Sequence, residues 1–268
     1  VATTLVLYAA GVVLGILLYT QANISGLQAA VKSQPAYVQE MVAAAATIFI
    51  TGLGLIGCLV GIRFVHRKPI GRVFTDGRPF GIWLAIRSAV LWGLLWLAWT
   101  VCLPGAWQRI VQRTGEIPLA WWPVVTVAML LAMTVGRTAE EVVFRGYLLT
   151  RVTAWVKRPW LAVCITAVLF AAMHRGANWP AYTAIALFGI GWGAACIRAG
   201  TLAPMIGAHV AHDTLQALLL PNDANATSTW LDVVFVAAAM AIWLGWLLWA
   251  TRSRPTETLA QPGDLAHG

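Results

Sequence analysis

The chain has 268 residues, of which 60% are hydrophobic and only 10% charged, with a net charge of +8. A soluble globular domain carries about 25% charged residues, so this composition, with a mean hydropathy of +0.75, excludes that class in favour of a multi-span membrane protein. The positive charge does not point to nucleic acid, because Lys and Arg gather in short loops beside apolar stretches, where they act as topology signals.

A spanning helix needs about 20 mostly apolar residues. Eight stretches are read as spans, at roughly 2–20, 41–62, 80–103, 119–150, 160–177, 180–198, 201–220 and 230–250. The first lacks a basic n-region and is long enough to span, so it reads as a retained helix rather than a signal peptide. Segment 21–40, with Pro35, reads as an outer loop lying on the membrane surface. The fourth stretch is unusually long, from about Leu119 to Val152, and the fifth to seventh are short or closely spaced. The tail 252–268, with Pro255, Pro262 and Gly263, reads as a disordered end. No strand-like alternation or internal repeat stands out. The expected fold class is therefore all-α, a polytopic membrane helical bundle of about eight transmembrane helices forming a single membrane domain over 1–268.

Cys58, Cys102, Cys164 and Cys196 all fall in predicted spans without a Cys-x-x-Cys pair. They read as small buried apolar side chains rather than disulfides or zinc ligands. Trp121, Trp122, Trp160, Trp179 and Trp230 lie near span ends, as interfacial aromatic belts do. Asn23 and Asn225 open glycosylation sequons of a kind that arises often by chance.

Loop charges give an orientation. Arg63, Arg67, Lys68, Arg72 and Arg78 follow span two, and Arg151, Lys157 and Arg158 follow span four. Arg198 follows span six, and Arg252 with Arg254 follows span eight. Eight spans with both termini in the cytoplasm put all of these on one side, leaving Lys32, Arg109, Arg113 and Arg175 on the other, as the positive-inside rule favours.

Three short motifs interrupt the apolar stretches: Glu140-Glu141-x-x-x-Arg145, Phe170-x-x-x-His174 and His209-x-x-x-Asp213. Ionisable groups within a bilayer are costly, and each is a functional-site hypothesis by default. Counting from the basic side at 1.5 Å per residue, Glu140 lies about 16 Å in, His174 about 21 Å, His209 about 12 Å and Asp213 about 18 Å. The depths overlap although topology was assigned from loop charges alone. Glu141 and Arg145 are i and i+4, neighbours on one helix face, as are His209 and Asp213. Phe170 lies one turn before His174 and is placed to wall a pocket, and Gly146 permits close helix approach. His212 is rotated away from His209 and reads only as added polarity. Arg87 and Arg137 read as snorkelling or as lining a water path.

Taken singly, each motif has a structural reading: an ion pair, a packing histidine, a helix-to-helix hydrogen bond. Three burial costs at a shared depth need a shared reason, and a water-activating site supplies one. Two other classes compete. One is a non-catalytic scaffold, immunity factor or complex subunit. The other is a proton-coupled transporter, since buried Glu, His and Asp also form relays, although such folds often contain repeated halves.

On these three motifs the chain resembles the CPBP family of intramembrane proteases, which includes type II CAAX prenyl endopeptidases and bacteriocin-processing, Abi-type relatives. The family pattern is Glu-Glu-x-x-x-Arg, Phe-x-x-x-His and His-x-x-x-Asn or Asp, on successive core helices. The resemblance covers about residues 119–220, with 1–118 and 221–250 as variable spans and 251–268 as a cytoplasmic tail. It implies an intramembrane endopeptidase with Glu140 as the general base that activates water and His174 helping to bind that water. His209 and Asp213 would sit near the scissile carbonyl, while Glu141 and Arg145 hold the site together. Two roles are open to Asp213: donor to the oxyanion, if protonated, or orienter of His209. A His₂Glu zinc set of Glu140, His174 and His209 is the metal-dependent alternative. The chain has no His-Glu-x-x-His helix, and metal-free catalysis is favoured, with no cofactor. The Ala- and Trp-rich composition looks bacterial, so the expected location is the bacterial cytoplasmic (inner) membrane and a prenylated substrate is not implied. The expected partners are membrane lipid, a membrane-associated protein or peptide substrate and, under the non-catalytic reading, a membrane complex.

Overall fold

The computed structural model describes residues 30–75, 79–103, 106–174, 177–220 and 228–252. The predicted first span 2–20, the sequons at Asn23 and Asn225, Arg78, Arg175 and the tail from residue 253 onward lie outside the described residues.

Among the described residues ten α-helices follow one another: α1 Ala36–Val60, α2 Gly71–Phe74, α3 Ile82–Cys102, α4 Ala106–Gly115, α5 Trp122–Glu141, α6 Leu149–Val156, α7 Pro159–Ala172, α8 Trp179–Ala199, α9 Ala203–Leu219 and α10 Trp230–Ala250. A wide π turn, Gly61–Val65, extends α1, and another, Val142–Leu148, joins α5 to α6. Among the described residues the fold is otherwise helical, apart from an isolated antiparallel bridge between Thr75 and Thr201.

Local sequence sets the helix ends. Pro159 occupies the first turn of α7 and Pro180 that of α8, where a missing N–H costs nothing. The Asn178 side chain caps α8 by accepting from Ala181 N–H at 3.1 Å. Thr229 and Asp232 form a reciprocal capping box on α10. Gly200 takes the left-handed conformation that ends α8.

Among the described residues, five helical stretches are long and apolar enough to cross a bilayer: Ala36–Val65, Ile82–Cys102, Leu119–Val156, Trp179–Ala199 and Trp230–Ala250. They coincide with the predicted spans at 41–62, 80–103, 119–150, 180–198 and 230–250. The protein is an integral membrane protein with an all-α polytopic fold. Two other predicted spans are shorter than expected. α7 has 14 residues, about 21 Å at helical rise against a hydrocarbon core of about 30 Å. α9 has 17 residues and carries His209, His212 and Asp213. The cysteines are free, but only Cys58 is buried; Cys102 and Cys164 are exposed. That corrects the expectation that all four are packed inside.

The described residues form two compact units. The first takes in the described parts of Val1–Ile70, Trp96–Glu140 and Ala208–Asp223. Its core is Ala44 of α1, Ile117, Val125, Met129 and Ala132, with Leu218 of α9. Arg113, read from sequence as a loop charge, is buried here. It pairs with Glu40 at 2.5 Å and Glu116 at 3.1 Å and donates to the Ala217 carbonyl at 3.2 Å. A buried guanidinium is tolerable only when its donors are satisfied in this way.

The second unit takes in Gly71–Leu95, Glu141–Gly207 and the described part of Ala224–Gly268. The buried Trp92 stands edge-on to Phe188, Trp192 and Trp243, while Phe188 stacks on Trp192. The Trp243 indole donates to Ser88 Oγ at 2.8 Å, and Ser88 donates to the Pro204 carbonyl at 2.6 Å. This satisfies the polar tips that burial would otherwise strand. Small residues bring helices together. A Cβ on Gly189 of α8 would stand 2.7 Å from Ala167 Cα of α7, and one on Gly207 of α9 would stand 2.1 Å from the Ala85 carbonyl oxygen of α3.

Candidate active site

Glu140 and Glu141 end α5. Successive helical residues are rotated by about 100°, so the two carboxylates meet different partners. Glu140 belongs to the first unit. Arg137, one turn earlier, donates from Nη1 to Glu140 Oε1, and its Nε lies 2.6 Å from Asp213 Oδ2 on α9. His209 Nε2 stands 3.8 Å from Glu140 Oε2 and 3.5 Å from Asp213 Oδ2. Glu140 Oε2 is buried and makes no hydrogen bond among the described residues. The structure thus brings Glu140, His209 and Asp213 together on α5 and α9.

It also adds two side chains that the sequence reading set aside. Arg137 does not snorkel; it lies between both carboxylates. The signal was present, since Arg137 and Glu140 are i and i+3 in one apolar stretch. His212 is not merely added polarity, because its Nε2 lies 3.8 Å from Asp213 Oδ1 and its ring stands edge-on to Trp96.

Glu141 belongs to the second unit. Arg145 Nη1 donates to Glu141 Oε1 at 3.2 Å, across the predicted i, i+4 spacing. The Glu141 and Arg145 side chains are 0% and 3% exposed, against 23% for Glu140 and 20% for Asp213. The Glu140 side chain is therefore partly exposed, although its Oε2 is buried, and Glu141 is sealed. Three rings surround the Arg145 guanidinium: Phe144 at 5.9 Å, Phe170 at 4.3 Å and Trp192 at 5.4 Å. Cation–π attraction of this kind strengthens when desolvated. Arg145 itself sits in the π turn, where the Leu149 N–H reaches back to the Phe144 carbonyl. Single π turns inside α-helices are frequent at functional sites. Gly146 serves the same turn, for a Cβ there would meet the Val73 carbonyl of α2 at 2.6 Å.

His174 lies two residues past the end of α7, not inside a spanning helix as expected. Its Nδ1 is 2.9 Å from the Phe170 carbonyl. A carbonyl only accepts, so Nδ1 carries the hydrogen of this bond, and Nε2 of the neutral ring is an acceptor. The Phe170 ring stands between its neighbours, 4.9 Å from the His174 ring and beneath Arg145. Phe170 therefore braces His174 and Arg145, a more specific role than walling a pocket.

A zinc ion on Glu140, His174 and His209 was the metal alternative. Among the described residues no group of three or more His, Cys, Asp or Glu side chains is placed to hold a metal ion. Arg137 already neutralises one oxygen of Glu140 and one of Asp213, and a divalent ion there would face its charge at contact range. Between the Glu140 and Asp213 carboxylates it is the guanidinium of Arg137 that supplies the positive charge.

Residues 120–215 match the type II CAAX prenyl endopeptidase Rce1-like family. The matched segment runs from just before α5 into α9 and contains every motif residue. The chain is also similar to YyaK of Bacillus subtilis (strain 168), an uncharacterized protein, with 24% identity over 176 residues. That alignment covers 61% of this chain and 56% of YyaK, so the chain spans little more than half of that relative. No solved structure matches.

Proposed function

We propose that the protein is an intramembrane endopeptidase that hydrolyses a peptide bond of a membrane-associated protein or peptide, using water activated by Glu140. The observation that carries this reading is the facing pair on α5 and α9: the buried Glu140 Oε2, without a hydrogen-bond partner among the described residues, 3.8 Å from His209 Nε2. Polar groups separated by slightly more than hydrogen-bond distance are natural partners for one bridging water.

In this reading Glu140 Oε2 takes a proton from that water as its oxygen attacks the scissile carbonyl. The C–N bond breaks as the same proton passes from Glu140 to the departing amine, giving a carboxylic acid and an amine. His209 donates toward the oxygen that gains charge. Of the two roles open to Asp213, its place beside Arg137 and two imidazoles supports that of an acceptor that orients His209. His174 Nε2, left as an acceptor by the bond from Nδ1 to Phe170, suits the part the resemblance gives it in binding water. No metal enters the proposed steps. The proposed setting is the bacterial cytoplasmic membrane, with basic loops and both termini in the cytoplasm, lipid around the spans and a membrane-associated polypeptide as substrate.

The test compares membranes from cells carrying the wild type, Glu140→Gln and His209→Ala by mass spectrometry of labelled protein N-termini. The expected result is a set of internal N-termini present with the wild type and reduced at least about 100-fold in Glu140→Gln, the scale of general-base catalysis. Equal abundance of all N-termini across the three strains rules the hydrolase out.

A further inference from the structure

We infer that Arg137 is a positioning residue of this site: it selects the oxygen of Glu140 that works as the base. The inference rests on the hydrolase reading above. A carboxylate has two equivalent oxygens, and a glutamate side chain has three rotatable bonds, so Glu140 alone does not define which oxygen faces the reaction. Arg137 removes that freedom. Its Nη1 binds Oε1 of Glu140 while its Nε stands 2.6 Å from Asp213 Oδ2. One rigid planar group therefore engages carboxylates from two helices, and the distance between its nitrogens is fixed by covalent geometry. With Oε1 held, Oε2 is the atom left facing His209 Nε2.

The same contacts give His209 its place. Asp213 Oδ2 is shared between Arg137 Nε and His209 Nε2 at 3.5 Å. Arg137 thus ties base and imidazole to one reference point. Lysine carries the same charge on a single nitrogen without the planar fork, so charge alone does not reproduce the arrangement. Neutralising two carboxylates and fixing their geometry are separable roles, and the lysine variant separates them.

The experiment measures, after induction, the rate at which the Glu140-dependent N-termini appear for the wild type, Arg137→Lys, Arg137→Gln and Glu140→Gln. It also measures the thermal midpoint of each detergent-solubilised protein. Arg137→Lys is expected to cleave about tenfold more slowly and Arg137→Gln about 100-fold more slowly, the cost of misplacing a reacting group by about 1 Å. The Arg137→Lys midpoint stays at the wild-type value. A wild-type rate in Arg137→Lys overturns the inference, because charge neutralisation then suffices; so does a wild-type rate in Arg137→Gln. Should Arg137→Gln fail to accumulate, Arg137→Lys decides alone. The Glu140→Gln arm separates the two levels: if it still cleaves, the hydrolase reading falls and takes this inference with it. If it is silent while Arg137→Lys is fully active, only the inference falls.

Discussion

The guanidinium carbon of Arg145 lies 4.3 Å from the ring centroid of Phe170. The His174 ring stands 4.9 Å from the same centroid, edge to face. Phe170→Leu keeps the volume roughly apolar but removes the negative ring face. It is expected to lower stability by about 1–2 kcal/mol, the strength of a desolvated cation–π contact, and to slow cleavage as His174 loses its brace. Phe170→Tyr keeps the ring and stays closer to the wild type. Thermal unfolding in detergent and the rate of product formation check both.

The two adjacent glutamates are expected to fail in different ways. Glu141→Gln leaves Arg145 buried without its charge partner, and breaking a buried pair from one side costs about 3–5 kcal/mol. The variant should accumulate poorly in membranes. Glu140→Gln, at a part-exposed position, should accumulate normally and lose cleavage. Immunoblots of membrane fractions beside the cleavage assay distinguish them; normal accumulation of Glu141→Gln contradicts its sealed structural role.

Helix approach predicts a third contrast. Any side chain at Gly189 collides with the backbone of α7 at Ala167. Gly189→Leu is expected to cost about 1–3 kcal/mol or more by overpacking. Gly245 of α10 has nothing within 4 Å of an added Cβ. Gly245→Ala should therefore be neutral or stabilising by up to about 1 kcal/mol, the helix-propensity difference. Thermal midpoints of the two variants give the comparison.

Arg113 offers a fourth. Its pair with Glu40 is nearly buried, whereas Glu116 is 38% exposed. Glu40→Gln is expected to destabilise by several kcal/mol, about 3–5 for one-sided loss of a buried pair. Glu116→Gln should cost no more than about 1 kcal/mol, as solvent-screened pairs do. Equal effects of the two substitutions contradict the burial difference.

Much of the candidate site was legible because lipid makes charge conspicuous. Glu140, His209 and Asp213 stand out as ionisable residues in apolar stretches, and the fold puts His209 within 4 Å of both carboxylates. The Glu141–Arg145 pair follows from i, i+4 spacing within one helix. Arg137 was harder, because its contact with Asp213 crosses from α5 to α9 and depends on how each helix is rotated. The C-terminal end of α7 was misjudged for a related reason. Hydropathy continues through Met173, but the helix stops at Ala172, so His174 falls in the turn.

Composition and periodicity determined that this chain is a helical membrane protein, since a backbone in lipid must satisfy its own hydrogen bonds. They also fixed which few side chains are costly enough there to need a reason. Tertiary structure alone decided that neighbouring glutamates have separate fates, one clamped by Arg137 near His209 and one sealed in its pair with Arg145. Partner choice depends on the rotation and close approach of helices far apart in the chain, and those follow from packing contacts that no local stretch of sequence contains.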